Sequence, residues 1–360
     1  MKFYDAHNHL QDERFGARQA ELLETCAAEG IVRMVVNGSC EQDWPQVLAL
    51  AQAHPQVLPS FGYHPWYIQQ RTPEWQANLR CYLDKASAAL GEIGLDRWKP
   101  GLEYAGQEEV FVAQLRLAAE RNLPVSIHCL RAWGRLFDLL RCGPRPARGF
   151  LLHSFGGPPE MVGEFVKLGA YFGFPGYFLH ERKARQRETF RGVPLERLLV
   201  ETDAPDQLLP DSAVPGENVP NDGSRFEPVN RGDLASTTSE KSPSPIGWER
   251  AGVRVHGEGR PQIIDASGDH EPRHPLTPAR SPDGGEGEER PVHGKRLGKD
   301  LSRFRHYSLA DLATGRPINH PANLAAIYEG LSRVIGVPME ALASLAEENF
   351  LRLFGGVQAE

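Results

Sequence analysis

Residues 2–10 read KFYDAHNHL: a short apolar run that ends on two histidines one residue apart. Along a strand, residues i and i+2 share a face, so His7 and His9 aim two imidazoles into one space. Alone, the pair fits two surface histidines near a frayed terminus as well as half of a metal site at a strand end. The rest of the chain decides, because the pattern repeats. Seven further runs read as buried strands: IVRMVVNG (31–38), VLPSFGYHP (57–65), ALGEIGLD (89–96), PVSIHC (124–129), GFLLHSF (149–155), AYFGFPG (170–176) and RLLVETDAP (197–205). Between them lie segments such as GARQAELLETCAAEG (16–30) and QEEVFVAQLRLAAERN (107–122), with apolar residues at helical spacing. Strict alternation of strand and helix predicts a parallel sheet. Eight repeats in roughly 200 residues predict an α/β fold, a small (β/α)8 TIM barrel. A doubly wound open sheet is the alternative, but no glycine-rich phosphate loop follows the first strand.

Composition bounds the function. The chain has 360 residues, 40% of them hydrophobic, and a formal net charge of −7, so it carries no global basic footprint for nucleic acid. No run of apolar residues is long enough to span a membrane. MKFYDAHNHL lacks the apolar core of a signal peptide. The five cysteines, Cys26, Cys40, Cys81, Cys129 and Cys142, are scattered, with no CxxC pair, which predicts a reduced, cytoplasmic protein.

Three stretches are expected. Residues 1–217 form the first part of the barrel. Residues 218–305 are dense in Pro, Gly, Ser and charge, bury too little to offset their ordering entropy, and are expected to be a disordered insert after strand 8. Residues 306–360 resume a helical pattern and are expected to give two helices, broken near Gly336-Val337-Pro338, that cover the outside of the barrel and complete it. Leu276 to Ser281 admits a codon choice whose reverse complement, read one base on, encodes Glu249 to Val253 and begins the codon of Arg254. That suggests two arms of a DNA inverted repeat, hence a repetitive element inserted in frame in a tolerant loop. The histidines of the insert, His256, His270, His274 and His293, are not expected to be ligands.

The strand ends carry the chemistry. Asp5, His7 and His9 end the first strand, His64 the third, His128 the fifth, His153 the sixth and Asp203 the eighth, while Glu92 sits within the fourth. In a barrel these ends converge on the face where active sites lie. Five histidines with two or three carboxylates would then line one pocket, a donor set suited to Zn, Mn, Fe or Ni, or to Mg where carboxylates dominate. A lone His128 or His153 is more often an ordinary buried histidine. Glu92 inside ALGEIGL is harder to dismiss, because an ionised carboxylate in an apolar strand is costly unless paired or metal-bound. His54 and His180 have no strand-end placement and read as surface residues.

DAHNHL, GYHPW, GEIGLD, PVSIHC, LLHSFGG and ETDAP occur in the order and spacing of the TatD family of metal-dependent hydrolases, which the chain resembles over 1–210 and about 307–356. NHPANL and EENFLRLFG are similar to that family's closing helices, whereas HCLRAWG has one residue more before its arginine than the commoner form. The resemblance implies a distorted TIM barrel holding two divalent metal ions (Mg, Mn or Zn) and a deoxyribonuclease activity on DNA or a small phosphodiester. By position, His7, His9 and Asp203 would hold the first metal and His128 and His153 the second, with Glu92 bridging; His64 and Arg131 would contact substrate phosphate. The expected reaction is attack of a metal-held water on phosphorus, with Asp203 orienting that water or taking its proton and His64 neutralising charge on a non-bridging oxygen. The alternatives are an amidohydrolase or phosphotriesterase-like hydrolase and, in another class, a non-catalytic nucleic-acid-binding barrel. The first two usually bridge their metals with a strand-4 lysine, where this chain has Glu92. The complete ligand set argues against an inactivated enzyme.

Overall fold

The eight apolar runs form eight strands in the computed structural model, which describes residues 1–210 and 305–356. They are β1 (Phe3–Asn8), β2 (Ile31–Asn37), β3 (Val57–Phe61), β4 (Ala89–Asp96), β5 (Val125–Leu130), β6 (Phe150–Leu152), β7 (Ala170–Pro175) and β8 (Leu198–Glu201). They lie side by side in sequence order, and each neighbouring pair is parallel. The helices between them are α1 (Gln19–Ala28), α2 (Trp44–Ala53), α3 (Trp75–Lys85), α4 (Tyr104–Arg121), α5 (Trp133–Cys142), α6 (Val162–Lys167) and α7 (Ala184–Arg191). This is the TIM barrel that the alternation predicts. The expectations for 218–305 fall, but for the last residue, outside the described residues.

The seam between β1 and β8 closes at and just beyond the strand ends. Asp203 N donates to His7 O at 2.9 Å and His9 N to Ala204 O at 2.8 Å. Below these, the Asp5 carboxylate accepts from Thr202 N at 2.9 Å and Thr202 Oγ1 at 2.6 Å. A side chain here substitutes for a ladder.

The strand period sorts the core into two sets. Residues from seven strands (Tyr4 and Ala6 of β1, then Val35, Leu58, Ala89, Leu151, Tyr171 and Leu199) belong to a separate apolar cluster within the barrel. Their neighbours along each strand, such as Met34 and Val36 or Phe150 and Leu152, join the larger core beneath the helices. Two residues further along, the inward layer becomes Asn37, Ser60, Gly91, His153, Gly173 and Glu201. The apolar plug therefore ends where the polar layer begins. Glu201 lies where a side chain at residue 173 would stand: a Cβ on Gly173 would meet Glu201 Oε2 at 2.0 Å.

The C-terminal segment returns as a two-stranded antiparallel hairpin, β9 (Ser308–Ala310) and β10 (Pro317–Asn319), which the periodicity does not predict, followed by α8 (Leu324–Ile335) and α9 (Met339–Phe354). The break between α8 and α9 falls where expected, with Gly336 left-handed at φ 73°. Helix α8 packs into the larger core beneath the helices, as expected of an outer helix, whereas α9 departs from that expectation. Phe350, Leu353 and Phe354 of α9 belong to the inner cluster, with the Phe350 ring 4.9 Å from that of Tyr4. Helix α9 thus closes the floor of the barrel, because a small barrel needs a large apolar face to cover its open end. Asn349 of α9 fixes this contact by donating to Leu195 O at 2.7 Å and Leu198 O at 2.9 Å.

Candidate metal centre

Two strands are irregular where they deliver site residues. The pairing of β1 with β2 shifts between Asp5 and Asn8, and that of β4 with β5 between Leu90 and Ile93. Such irregularities re-aim side chains. One turns His7 inward and the other turns Glu92 inward. After the second, Gly94 lets β4 regain β5 closely, since a Cβ there would lie 2.0 Å from His128 O.

Five of the predicted histidines surround Glu92, a carboxylate 2% exposed. Its two oxygens face different sets. Oε2 lies 3.2 Å from His9 Nε2 and 3.5 Å from His7 Nε2. Oε1 lies 3.1 Å from His153 Nε2, 3.2 Å from His128 Nδ1 and 3.5 Å from His64 Nε2. Asp203 joins the first set, with Oδ1 3.5 Å from His7 Nε2 and 3.6 Å from His9 Nε2. The sequence expectation thus has His7, His9, His64, Glu92, His128, His153 and Asp203 in one place. Arg131 is not brought into the cluster: it is exposed, at φ 55°, at the end of β5. His180, read as a surface residue, is half-buried and bonds through Nε2 to Leu208 O at 3.0 Å.

The electrostatics centre on Glu92. Burial pushes its carboxyl up, but the surrounding imidazoles of His64, His153 and His7 outweigh this and hold it well below the usual carboxylate range. Burial would lower His9, yet contact with Glu92 and the charge of Asp203 raise it to about 9. Burial likewise opposes protonation of His128 and His153, and adjacent carboxylates reverse this for both. Burial prevails at His7, held well below 6.5, and at His64, lowered to about 3. Burial raises Asp203 to about 7.

Residues that sequence reading left without a role hold these rings in place. Asp96 Oδ2 lies 3.0 Å from His128 Nε2 and accepts from Trp66 Nε1 at 2.6 Å. Glu201 Oε1 lies 3.5 Å from His153 Nδ1 and accepts from Ser154 N at 2.6 Å and Ser154 Oγ at 2.8 Å. Ser126 Oγ is 2.7 Å from His7 Nδ1, and Gln207 Nε2 donates to Asp203 Oδ2 at 2.6 Å. His7 and His128 each keep one nitrogen toward Glu92 and the other on a hydrogen-bonding group, the arrangement that fixes a tautomer in metal sites, whereas His153 Nδ1 faces Glu201 with no partner in hydrogen-bonding geometry among the described residues. Asp96 and Glu201 stand in the quoted motifs, but nothing in their spacing separates supporting from ligating acids.

The donor set fits divalent metal. Three groups bring their ligand atoms within 4.8 Å of one another: His7, His153 and Asp203; His7, His9 and Glu92; His64, Glu92 and His128. Glu92 Oε1 is buried and has no partner in hydrogen-bonding geometry among the described residues. The third group makes His64 a further candidate ligand, beside its expected phosphate role.

The model for TatD related DNase matches residues 4–241. The 3′-5′ ssDNA/RNA exonuclease TatD of Escherichia fergusonii is 33% identical over 218 residues, covering 59% of this chain and 82% of that protein. The uncharacterized metal-dependent hydrolase YjjV of Escherichia coli is 30% identical over 211 residues, covering 58% of this chain and 81% of that protein. The crystal structure of YjjV superposes with a TM-score of 0.65 at 21% identity, covering 98% of this chain and 97% of that one. A TatD family hydrolase from Entamoeba histolytica gives a TM-score of 0.65 at 14% identity, covering 99% of each. These two structures are alike in fold.

Proposed function

This chain belongs to the TatD family of metal-dependent hydrolases, and from that membership we propose that it hydrolyses phosphodiester bonds in single-stranded nucleic acid, with Glu92 bridging two divalent metal ions. The observation that carries the reading is the division of the Glu92 oxygens, Oε2 toward His7 and His9 and Oε1 toward His64, His128 and His153. His7, His9 and Asp203 would hold one ion, and His128 and His153 the other. Bound there, divalent metal supplies Lewis acidity that polarises the phosphoryl group and acidifies water.

The chain's own residues do the rest. Asp203 Oδ2 receives the Gln207 amide, which leaves Oδ1 facing the cluster to orient a water and take its proton. His64 sits on the Oε1 side of Glu92, against Trp66 at a ring separation of 5.1 Å, and is placed to meet a non-bridging phosphate oxygen. Asp96 keeps His128 in register, and Glu201 stands beside His153. Mg, Mn and Zn all suit this mix of imidazole and carboxylate. Among the described residues no helix is long and apolar enough to cross a membrane, and all five cysteines are free. The free thiols support a cytoplasmic setting.

The reading is tested on chelator-treated full-length protein given Mg, Mn or Zn, with single-stranded DNA, RNA, a small phosphodiester and a cyclic amide as substrates. Metal-restored cleavage of the nucleic acids is the expected result. Hydrolysis of the amide alone would favour the amidohydrolase reading, and binding without hydrolysis under every metal would favour a binding barrel.

A further inference from the structure

Three cations stand on the loops after β4 and β5: Arg97, Lys99 and Arg131. Their surroundings differ. The Arg97 guanidinium lies over the Tyr104 ring, 3.8 Å from its centroid. Arg131 is exposed and touches no group of the cluster. The Lys99 ammonium lies 4.5 Å from the centroid of the Trp66 ring. That indole stands against the metal cluster, with ring centroids 5.1 Å from His64 and 6.0 Å from His128. Lys99 is therefore one ring away from two site histidines.

Its placement is built. The Asp96 carboxylate takes the Trp66 indole N–H on Oδ2 and the backbone N–H groups of Trp98 and Lys99 on Oδ1, at 2.6 and 2.9 Å, while Oδ2 also meets His128. One buried acid thus sets the indole, the loop and a site imidazole together. Lys99 itself has no ion pair among the described residues: Asp96 is spent on other donors, and the half-buried ammonium rests only on an aromatic face. A cation held by a ring keeps its N–H donors free for an oxygen ligand.

From this geometry we infer that Lys99, carried on the Trp66 ring, is the cation that binds a backbone phosphate of the substrate strand at the mouth of the site, the role that sequence reading gave to Arg131. The inference rests on the phosphodiester reading above. It adds a residue to it and predicts a substrate with a phosphate beside the one cleaved.

The test is binding without turnover. A fluorescein-labelled single-stranded DNA dodecamer is titrated with chelator-treated full-length protein over a series of salt concentrations, for the wild type, Lys99→Gln, Lys99→Arg and Arg131→Gln. One lost phosphate contact lowers the slope of log affinity against log salt by about 0.7. Lys99→Gln is expected to show that loss together with about tenfold weaker binding at low salt, whereas Lys99→Arg keeps the wild-type slope. A thermal unfolding midpoint for Lys99→Gln equal to that of the wild type separates lost contact from lost fold. Wild-type affinity and slope in Lys99→Gln would overturn the assignment, as would the same loss in Arg131→Gln instead. A wild type that cleaves the dodecamer under metal while Lys99→Gln binds normally sinks this inference alone. A wild type that neither binds nor cleaves it sinks the phosphodiester reading and the inference together.

Discussion

Asp5 lies at the barrel seam, fully buried, and accepts from Thr202 N, Thr202 Oγ1, Asn8 Nδ2 and His7 N. Burial raises its carboxyl to about 7, with these donors pulling the other way. Removing it strands several buried donors at once. Asp5→Ala is expected to lower stability by about 3–5 kcal/mol in urea unfolding, since each unsatisfied buried donor costs on the order of 1–3 kcal/mol. A loss under about 1 kcal/mol would mean that the seam does not depend on this side chain. At this scale legibility in the sequence is uneven. His7, His9, Glu92, His128, His153 and Asp203 are readable because an ionisable group that closes or interrupts an apolar strand is costly to bury unless something binds it. Asp5, Asp96 and Glu201 are not, because an acid that serves a backbone or a neighbouring ring has the same sequence context as one that serves a metal. Lys99 depends on Trp66, 33 residues earlier in the chain, and no local pattern shows that contact.

Among the elements, the eight strands and the break between α8 and α9 are legible, since periodicity and glycine report them directly. The floor role of α9 is not: an amphipathic pattern states that a helix has an apolar face, not what that face covers. The strand irregularities that turn His7 and Glu92 inward also leave no periodic trace. The turn before α8 makes a further prediction. His320 Nδ1 accepts from Ala322 N at 2.9 Å, and the ring lies 4.9 Å from that of Tyr307. Burial, then the charge of Arg18, lower its pKa to about 4. The folded ring is thus neutral where the unfolded one begins to charge. Its contribution is complete above pH about 6.5 and is lost as pH falls from there toward about 4. Between pH 7 and pH 5 the wild type should lose about 1–2 kcal/mol more stability than His320→Asn, which can still cap the turn but does not titrate. Equal losses in the two proteins would refute a buried neutral His320.

Across the whole molecule, an apolar plug, floored by α9, fills one end of the barrel, and the polar layer above it carries the cluster. Cationic charge at the mouth is local, in a chain whose formal net charge is −7. Such a chain would engage a polyanion at the site mouth rather than across its surface. The proposed chemistry stands on Glu92 as the carboxylate shared by two metal positions. It is tested most directly by the rate of single-stranded DNA hydrolysis in Mn for Glu92→Ala against the wild type, with a chelator control and unfolding curves to confirm that both are folded. Chelator-sensitive cleavage by the wild type is expected, with a rate at least about a hundredfold lower in Glu92→Ala. A folded Glu92→Ala that cleaves at the wild-type rate would contradict a shared carboxylate at this position.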